Sequence, residues 1–258
     1  RRRMREDPVF REALYCIRCG ACMNVCAPYS VVGGHVFGHI YPGPIGIPWT
    51  ANVHGLDRAA FAHLCVSCGL CREVCPVEIN IPMMIARVKE LDAESRGFPW
   101  VNRVMMAYER LGALASRFAP VANWALRSRT FRWLMERLLG LDRDAEVPPF
   151  AERSLRARLG RVVRRPENPV MRVALFPDFF YEYVRPDLAE GMIALLQETG
   201  IEVEVPDVRT SGYPLVAYGD LKRARRIAEH NVRVLREFTS RGYLVVSLEP
   251  TATYALKF

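Results

Sequence analysis

The apolar positions of this 258-residue chain change period twice, and the changes divide it into three segments. In the first, Phe10 to Tyr15 and Leu56 to Leu64 read as short helices. Behind Pro82, the residues Met84, Ile85, Val88 and Leu91 recur at helical spacing. They predict a helix from Pro82 to Arg96, with proline in the first turn, where its missing N–H leaves no gap. Between these stretches, Gly33-Gly34 and Tyr41-Pro42-Gly43-Pro44-Ile45-Gly46 break every period, so this insert is expected to be mostly loop.

The second segment interleaves arginines with Trp100, Met105, Met106, Leu111, Trp124, Leu126, Phe131, Trp133, Leu134 and Leu138. Pro120 divides it into two expected amphipathic helices and Pro148-Pro149 closes it. A stripe of this kind belongs in a core or an interdomain contact more often than on a partner or bilayer surface. Arg153 to Arg165 reads as a basic, solvated connector.

From Met171 onward the pattern becomes α/β. Val173 to Phe176, Ile201 to Val205 and Tyr243 to Leu248 read as strands, separated by helices at Pro186 to Thr199 and Asp220 to Thr239. Alternation of this kind predicts a parallel sheet. The fold class is therefore α+β multidomain: a helical domain over 1–96, an amphipathic helical connector over 97–168, and a small parallel α/β domain over 169–258. No G-x-G-x-x-G follows the first strand, so a dinucleotide site is not supported.

Candidate chemistry lies in the cysteines. All eight fall into two copies of C-x2-C-x2-C-x3-C: Cys16, Cys19, Cys22, Cys26 and Cys65, Cys68, Cys71, Cys75. This is the spacing of bacterial ferredoxins, in which three thiolates hold one 4Fe-4S cube and the fourth reaches the neighbouring cube. Cys16, Cys19, Cys22 and Cys75 are accordingly assigned to one cluster, and Cys65, Cys68, Cys71 and Cys26 to the other. Gly20 and Gly69 follow the second cysteine of each run and supply the backbone freedom of a tight loop. Helices flanking both runs favour an α-helical ferredoxin over the compact β-rich kind.

Other uses of the cysteines fit less well. Structural zinc takes two separated ligand pairs, and disulfides need an oxidising compartment, whereas the N-terminal arginines precede no apolar leader. A cytoplasmic location follows as the expectation, with peripheral attachment to the inner face of the membrane as an extension of it. The formal charge of +8 counts the thiols as neutral. With two oxidised cubes bound it falls to about +4. Nucleic acid is not expected as a partner, because the arginines form no binding motif. His35, His39, His54 and His63 lie between the runs and could tune a cluster, but ordinary surface or core roles are the default for them and for His230.

The stretches Tyr15-Cys-Ile-Arg-Cys-Gly-Ala-Cys-Met-Asn-Val-Cys26, Tyr41-Pro-Gly-Pro-Ile-Gly46 and Leu64-Cys-Val-Ser-Cys-Gly-Leu-Cys-Arg-Glu-Val-Cys-Pro76 resemble the iron-sulfur subunit of the bacterial lactate utilisation complex. Ala27, between Cys26 and Pro28, departs from the usual Cys-Pro without touching a ligand. The last third resembles the cysteine-rich domain of iron-sulfur proteins that accompany flavin-dependent glycolate, lactate and glycerol-3-phosphate dehydrogenases, a domain shared with heterodisulfide reductase. In that family a Cys-Cys-Gly follows the second strand and another cysteine follows the third. Here Thr210-Ser211-Gly212 and Glu249-Pro250-Thr251-Ala252 occupy those places, and the sequence given reaches Phe258 after one half of the usually repeated domain.

These resemblances imply two 4Fe-4S clusters that relay single electrons from a flavoprotein dehydrogenase subunit or domain toward a quinone or another carrier, with a further cysteine-rich subunit as an additional partner. No substrate-level catalytic site is expected in this chain. Two other readings stand beside this one. A heterodisulfide-reductase-like catalyst is opposed by the missing thiolates, and clusters acting as structural pins would stabilise without relaying.

Overall fold

The computed structural model describes residues 2–163 and 166–257. Arg164 and Arg165, the end of the expected connector, lie outside the described residues, as do the terminal Arg1 and Phe258. The architecture is α+β, with two compact units: Arg1–Pro99 together with Pro214–Ala224, and Trp100–Tyr213 together with Arg225–Phe258.

The first unit is helical. Each cysteine run is entered by a 3-10 helix, Phe10–Tyr15 or Asp57–Leu64, and contains one short helical turn, Ala21–Asn24 or Leu70–Glu73. The helix Ile81–Arg96 follows, with the Asn80 side chain accepting a hydrogen bond from the Met83 N–H at its start. Met84, Ile85 and Val88 of this helix are buried with Phe37, Ile47 and Phe61, and Cys22, Cys26 and Cys71 belong to the same core. Each large apolar side chain buried here contributes roughly 1.5–3 kcal/mol. The thiols are thus held by the unit's main hydrophobic core.

The insert between the runs differs from the expected loop. It forms the helices Ala27–Val36 and Gly43–His54. Pro28 and Pro44 sit in first turns, where no intrahelical partner is lost, so two apparent breakers open helices. Gly33, with φ 72° and ψ 172°, kinks the first helix without ending it.

In the second unit, β1 (Met171–Phe176), β2 (Ile201–Glu204) and β3 (Leu244–Ser247) form one parallel sheet in the order β2-β1-β3. Val173, Ala174, Leu175 and Phe176 of the central strand are all buried, as expected for a strand covered on both faces. Leu175 packs with Leu155, Ala189, Ile193 and Val203, while Phe176 packs with Val208, Leu235 and Ala252.

The middle of the chain requires three corrections. Over residues 100–139 it forms four helices rather than two, Trp100–Met106, Tyr108–Arg117, Ala119–Arg127 and Arg129–Leu139. Pro120 opens the third, and Ser128 caps the fourth by accepting the Phe131 N–H. Most of the apolar stripe is not core: Met106 is buried, but Trp100, Leu111, Phe131, Trp133, Leu134 and Leu138 are exposed, and Trp124 is 71% exposed. Nor is the basic stretch from Arg153 a solvated connector. Leu155 is fully buried, and the Arg156 guanidinium donates to the Pro206 carbonyl at 3.2 Å and to the Asp207 carboxylate at 3.1 Å. The charge count of that stretch concealed one apolar anchor and one structural arginine.

Candidate metal centre

The two cysteine loops are near copies in backbone conformation. Gly20 and Gly69 both have φ of 81°, in the left-handed region. Arg18 and Ser67 are left-handed too, with φ of 61° and 58°, although neither is glycine. Such a turn aims successive N–H groups inward. The Arg18 N–H points at Cys16 Sγ and the Ser67 N–H at Cys65 Sγ, both at 3.4 Å. Hydrogen bonds of this kind favour the charged thiolate and are one of the levers on a cluster's potential.

The thiols gather in crossed sets. Cys16, Cys19, Cys22 and Cys75 border one cavity of about 190 Å³, along with Ile45, Trp49 and Ile81. Cys26, Cys65, Cys68 and Cys71 border a second, tighter cavity of about 20 Å³, walled by Pro28, Pro44, Pro82 and Ile85. Cys19 and Cys68 are exposed, whereas Cys22, Cys26 and Cys71 are buried. Cys16, Cys65 and Cys75 are partly buried, so each set runs from a thiol at the surface to thiols in the core.

This donor set fits an iron-sulfur cube better than a single ion. Among the described residues no three Cys, His, Asp or Glu side chains converge on a point that would hold one metal ion. A cube offers a separate iron to each thiolate and so needs four of them spread around a box. Cys16, Cys19, Cys22 and Cys75 would hold one cube, and Cys26, Cys65, Cys68 and Cys71 the other.

Burial raises the pKa of Cys22, while the Ile45 N–H opposes the rise and the neighbouring Cys16, Cys19 and Cys75 add to it. Cys26 is likewise raised by burial and moderated by the Tyr29 N–H. For Cys71 burial again dominates, with Cys65 and Cys68 adding to the rise. Thiols crowded in this way carry their protons until metal displaces them.

The insert closes the first site. A side chain on Gly43, which has φ 73°, would place its Cβ 2.3 Å from Met23 Cγ, and a Cβ on Gly46 would lie 2.0 Å from the Tyr41 carbonyl oxygen. Only glycine lets the Gly43–His54 helix come so near the first loop and bring the Ile45 N–H to Cys22.

Lys89 had not been singled out in the sequence. It is 2% exposed, and its Nζ donates to the Cys65 carbonyl at 2.8 Å and the Ala217 carbonyl at 2.6 Å. Burial lowers its pKa, and the neighbouring Cys65 only partly opposes the fall. The signal in the sequence was a lysine four positions after Ile85, on the apolar face of its helix. The histidines line neither cavity among the described residues. His63 pairs with Asp92 at 2.9 Å, and His54 packs against Tyr41 and His39.

The positions that would carry thiolates in the cysteine-rich domain are occupied differently. Ala252 is fully buried in the apolar core, and the Thr210 hydroxyl lies 2.7 Å from the Tyr108 hydroxyl. The Ser211 N–H donates to Asp178 at 3.0 Å. Gly212 keeps a left-handed φ of 72°. Methyl and hydroxyl groups at these places are poor ligands for iron.

The 4Fe-4S dicluster domain family matches residues 12–79. The protein named Lactate utilization protein B of Bacillus cytotoxicus is 38% identical over 122 residues, covering 44% of this chain and 26% of that protein. Its namesakes from Bacillus thuringiensis and Bacillus anthracis are 37% identical over the same length. No solved structure matches the chain. The chain thus spans about a quarter of the length of these curated relatives, and its cysteine-bearing part is similar to an iron-sulfur dicluster domain.

Proposed function

We propose that this chain is an electron-transfer module that binds two 4Fe-4S clusters in the crossed sets Cys16, Cys19, Cys22, Cys75 and Cys65, Cys68, Cys71, Cys26. The observation that carries the reading is the gathering of all eight cysteines around two neighbouring cavities in the first unit. When bound, the clusters supply one-electron redox chemistry. The chain positions the thiolates, aims backbone N–H groups at their sulfurs and keeps the inner ligands from water. It also leaves Cys19 and Cys68 at the surface, rimmed by exposed Tyr15 and Ile17 on one loop and Val66 and Leu70 on the other. Apolar rims beside a redox edge suit the small interfaces of transient electron-transfer pairs.

In this proposal the donor is a flavin-dependent dehydrogenase acting on a 2-hydroxy acid such as lactate or glycolate, or on glycerol-3-phosphate, as the resemblance of the last third to iron-sulfur proteins that accompany such dehydrogenases implies. The acceptor is a quinone or another carrier. Substrate chemistry belongs to the flavin partner, and this chain supplies the path. No described helix is long and apolar enough to cross a membrane. Peripheral attachment at the cytoplasmic face is part of the proposal. It is supported by the exposed Trp100, Trp124 and Trp133 beside seven arginines between residues 100 and 140, a composition suited to an anionic interface.

Stepwise reduction of the anaerobically purified protein tests the relay. Two one-electron waves within the range of flavin and quinone couples are expected. A fully loaded protein that accepts no electron in that range would leave only the structural role.

A further inference from the structure

Lys89 is a buried lysine without a carboxylate. Its neighbours on the helix spend their charges elsewhere: Glu90 pairs with Arg87, and Asp92 pairs with His63 and Arg96. Among the described residues no acidic side chain pairs with Lys89, and its Nζ meets two backbone carbonyls instead. Leaving a buried ammonium unpaired is costly, because burial strips its hydration without supplying an opposite charge. One of its two acceptors is the carbonyl of Cys65, a ligand of the second set, so the charge lies directly behind that site. Four thiolates around an oxidised cube make a net anion, and that anion is the counter-charge Lys89 lacks.

We propose that Lys89 makes the cluster held by Cys65, Cys68, Cys71 and Cys26 the easier of the two to reduce. On reduction that cluster gains one electron, its net charge becomes one unit more negative, and no bond forms or breaks. A fixed cation nearby stabilises the reduced form more than the oxidised one, which raises the potential. Burial preserves the effect, because little solvent or salt lies between the charges. Lys89 acts from behind the second site, through the Cys65 carbonyl, without lining its cavity; among the described residues the charged residue at the first cavity is Arg18, which is exposed and therefore screened. This difference between two otherwise similar loops gives the relay a direction, from the first cluster toward the second.

The inference rests on the two-cluster reading, and redox titration of the anaerobic holoprotein separates the two. The variants are Lys89→Gln, which keeps hydrogen-bond donors without charge, and Lys89→Met, which removes both. Cys19→Ser and Cys68→Ser, each expected to alter the spectrum of one cluster, mark which wave belongs to which. The expected result is a lower potential for the Cys68-marked cluster in both Lys89 variants, with the Cys19-marked cluster unmoved. Equal shifts of both waves, or no shift in Lys89→Gln, would overturn the role of Lys89. If Lys89→Gln loads no second cluster, the order of reduction in the unaltered protein decides. A first electron on the Cys68-marked cluster supports the assignment, and one on the Cys19-marked cluster refutes it. Protein without iron would instead remove the cluster reading itself.

Discussion

Arg18 and Ser67 occupy the same station in the two cysteine loops, each left-handed and each donating its N–H to the cysteine Sγ two residues earlier at 3.4 Å. A side-chain-bearing residue in this region costs roughly 1–2 kcal/mol, and the loops bear that cost twice. The return is an inward N–H beside a ligand, which a relaxed backbone would turn away.

Proline cannot adopt this φ and has no N–H. Arg18→Pro is therefore expected to empty the site built on Cys16, Cys19 and Cys22, and Ser67→Pro the site built on Cys65, Cys68 and Cys71. Each should lower bound iron to about half, read by iron and sulfide analysis of anaerobically prepared protein. Full iron in both variants would show that the left-handed turn is dispensable.

Much of this site was legible beforehand because cysteine spacing reports ligand geometry directly: Gly20 and Gly69 stand where the turn requires them. The strands of the α/β part were legible for a related reason, since Val173 to Phe176 is an unbroken apolar run. The insert was misread because Pro28 and Pro44 look alike whether they break a helix or open one, and only tertiary contact decides. The stripe around Trp124 was misread because amphipathic periodicity identifies an apolar face and does not say what covers it. Lys89 escaped notice because one lysine among apolar helix positions looks solvated until its distance to the Cys65 carbonyl is known.

Crossed ligation has its own test. Cys26→Ser should damage the cluster served mainly by the second run, and Cys75→Ser the one served by the first, because those thiols border the opposite cavities. Each variant should also lower the thermal midpoint, since losing a ligand removes metal-coupled folding energy. Spectra in which Cys26→Ser alters only the cluster held by Cys16, Cys19 and Cys22 would refute the crossing.

Metal stoichiometry separates the ferredoxin-like part from the α/β part. About eight iron and eight sulfide per full chain are expected from two cubes. About twelve of each would mean a third cluster, placed where Thr210, Ser211 and Ala252 now stand. Zinc without iron would remove the cluster assignment.

The approach of Gly43 to Met23 is expected to be intolerant of even one methyl group. In Gly43→Ala the added Cβ meets Met23 Cγ at 2.3 Å, and the backbone must keep a φ of 73°. Overpacking and the left-handed penalty together predict a loss of about 2–4 kcal/mol, measured by chemical denaturation of the holoprotein. Adding Met23→Ala should recover only the packing part. A Gly43→Ala protein as stable as the parent would mean that the helix can withdraw from the loop.

Stability should fall as pH rises from about 4.5 toward 7 because of one carboxyl group. Burial, with the adjacent charge of Asp178, pushes the pKa of Glu249 up from 4.5 to about 7, against the opposing effect of the Tyr181 and Phe180 N–H groups. A raised folded-state pKa means that the native protein holds the proton more tightly than the unfolded chain. The resulting stabilisation is complete below about pH 4.5 and is lost as pH climbs through about 7. Glu249→Gln keeps an oxygen for the two N–H donors and removes the titration. Between pH 5 and 8 the thermal midpoint of the parent should therefore fall by about 2–4 °C more than that of Glu249→Gln, a shift of the size that one kcal/mol produces in a protein this large. Parallel midpoint curves for the two proteins would show that Glu249 is ionised throughout this range.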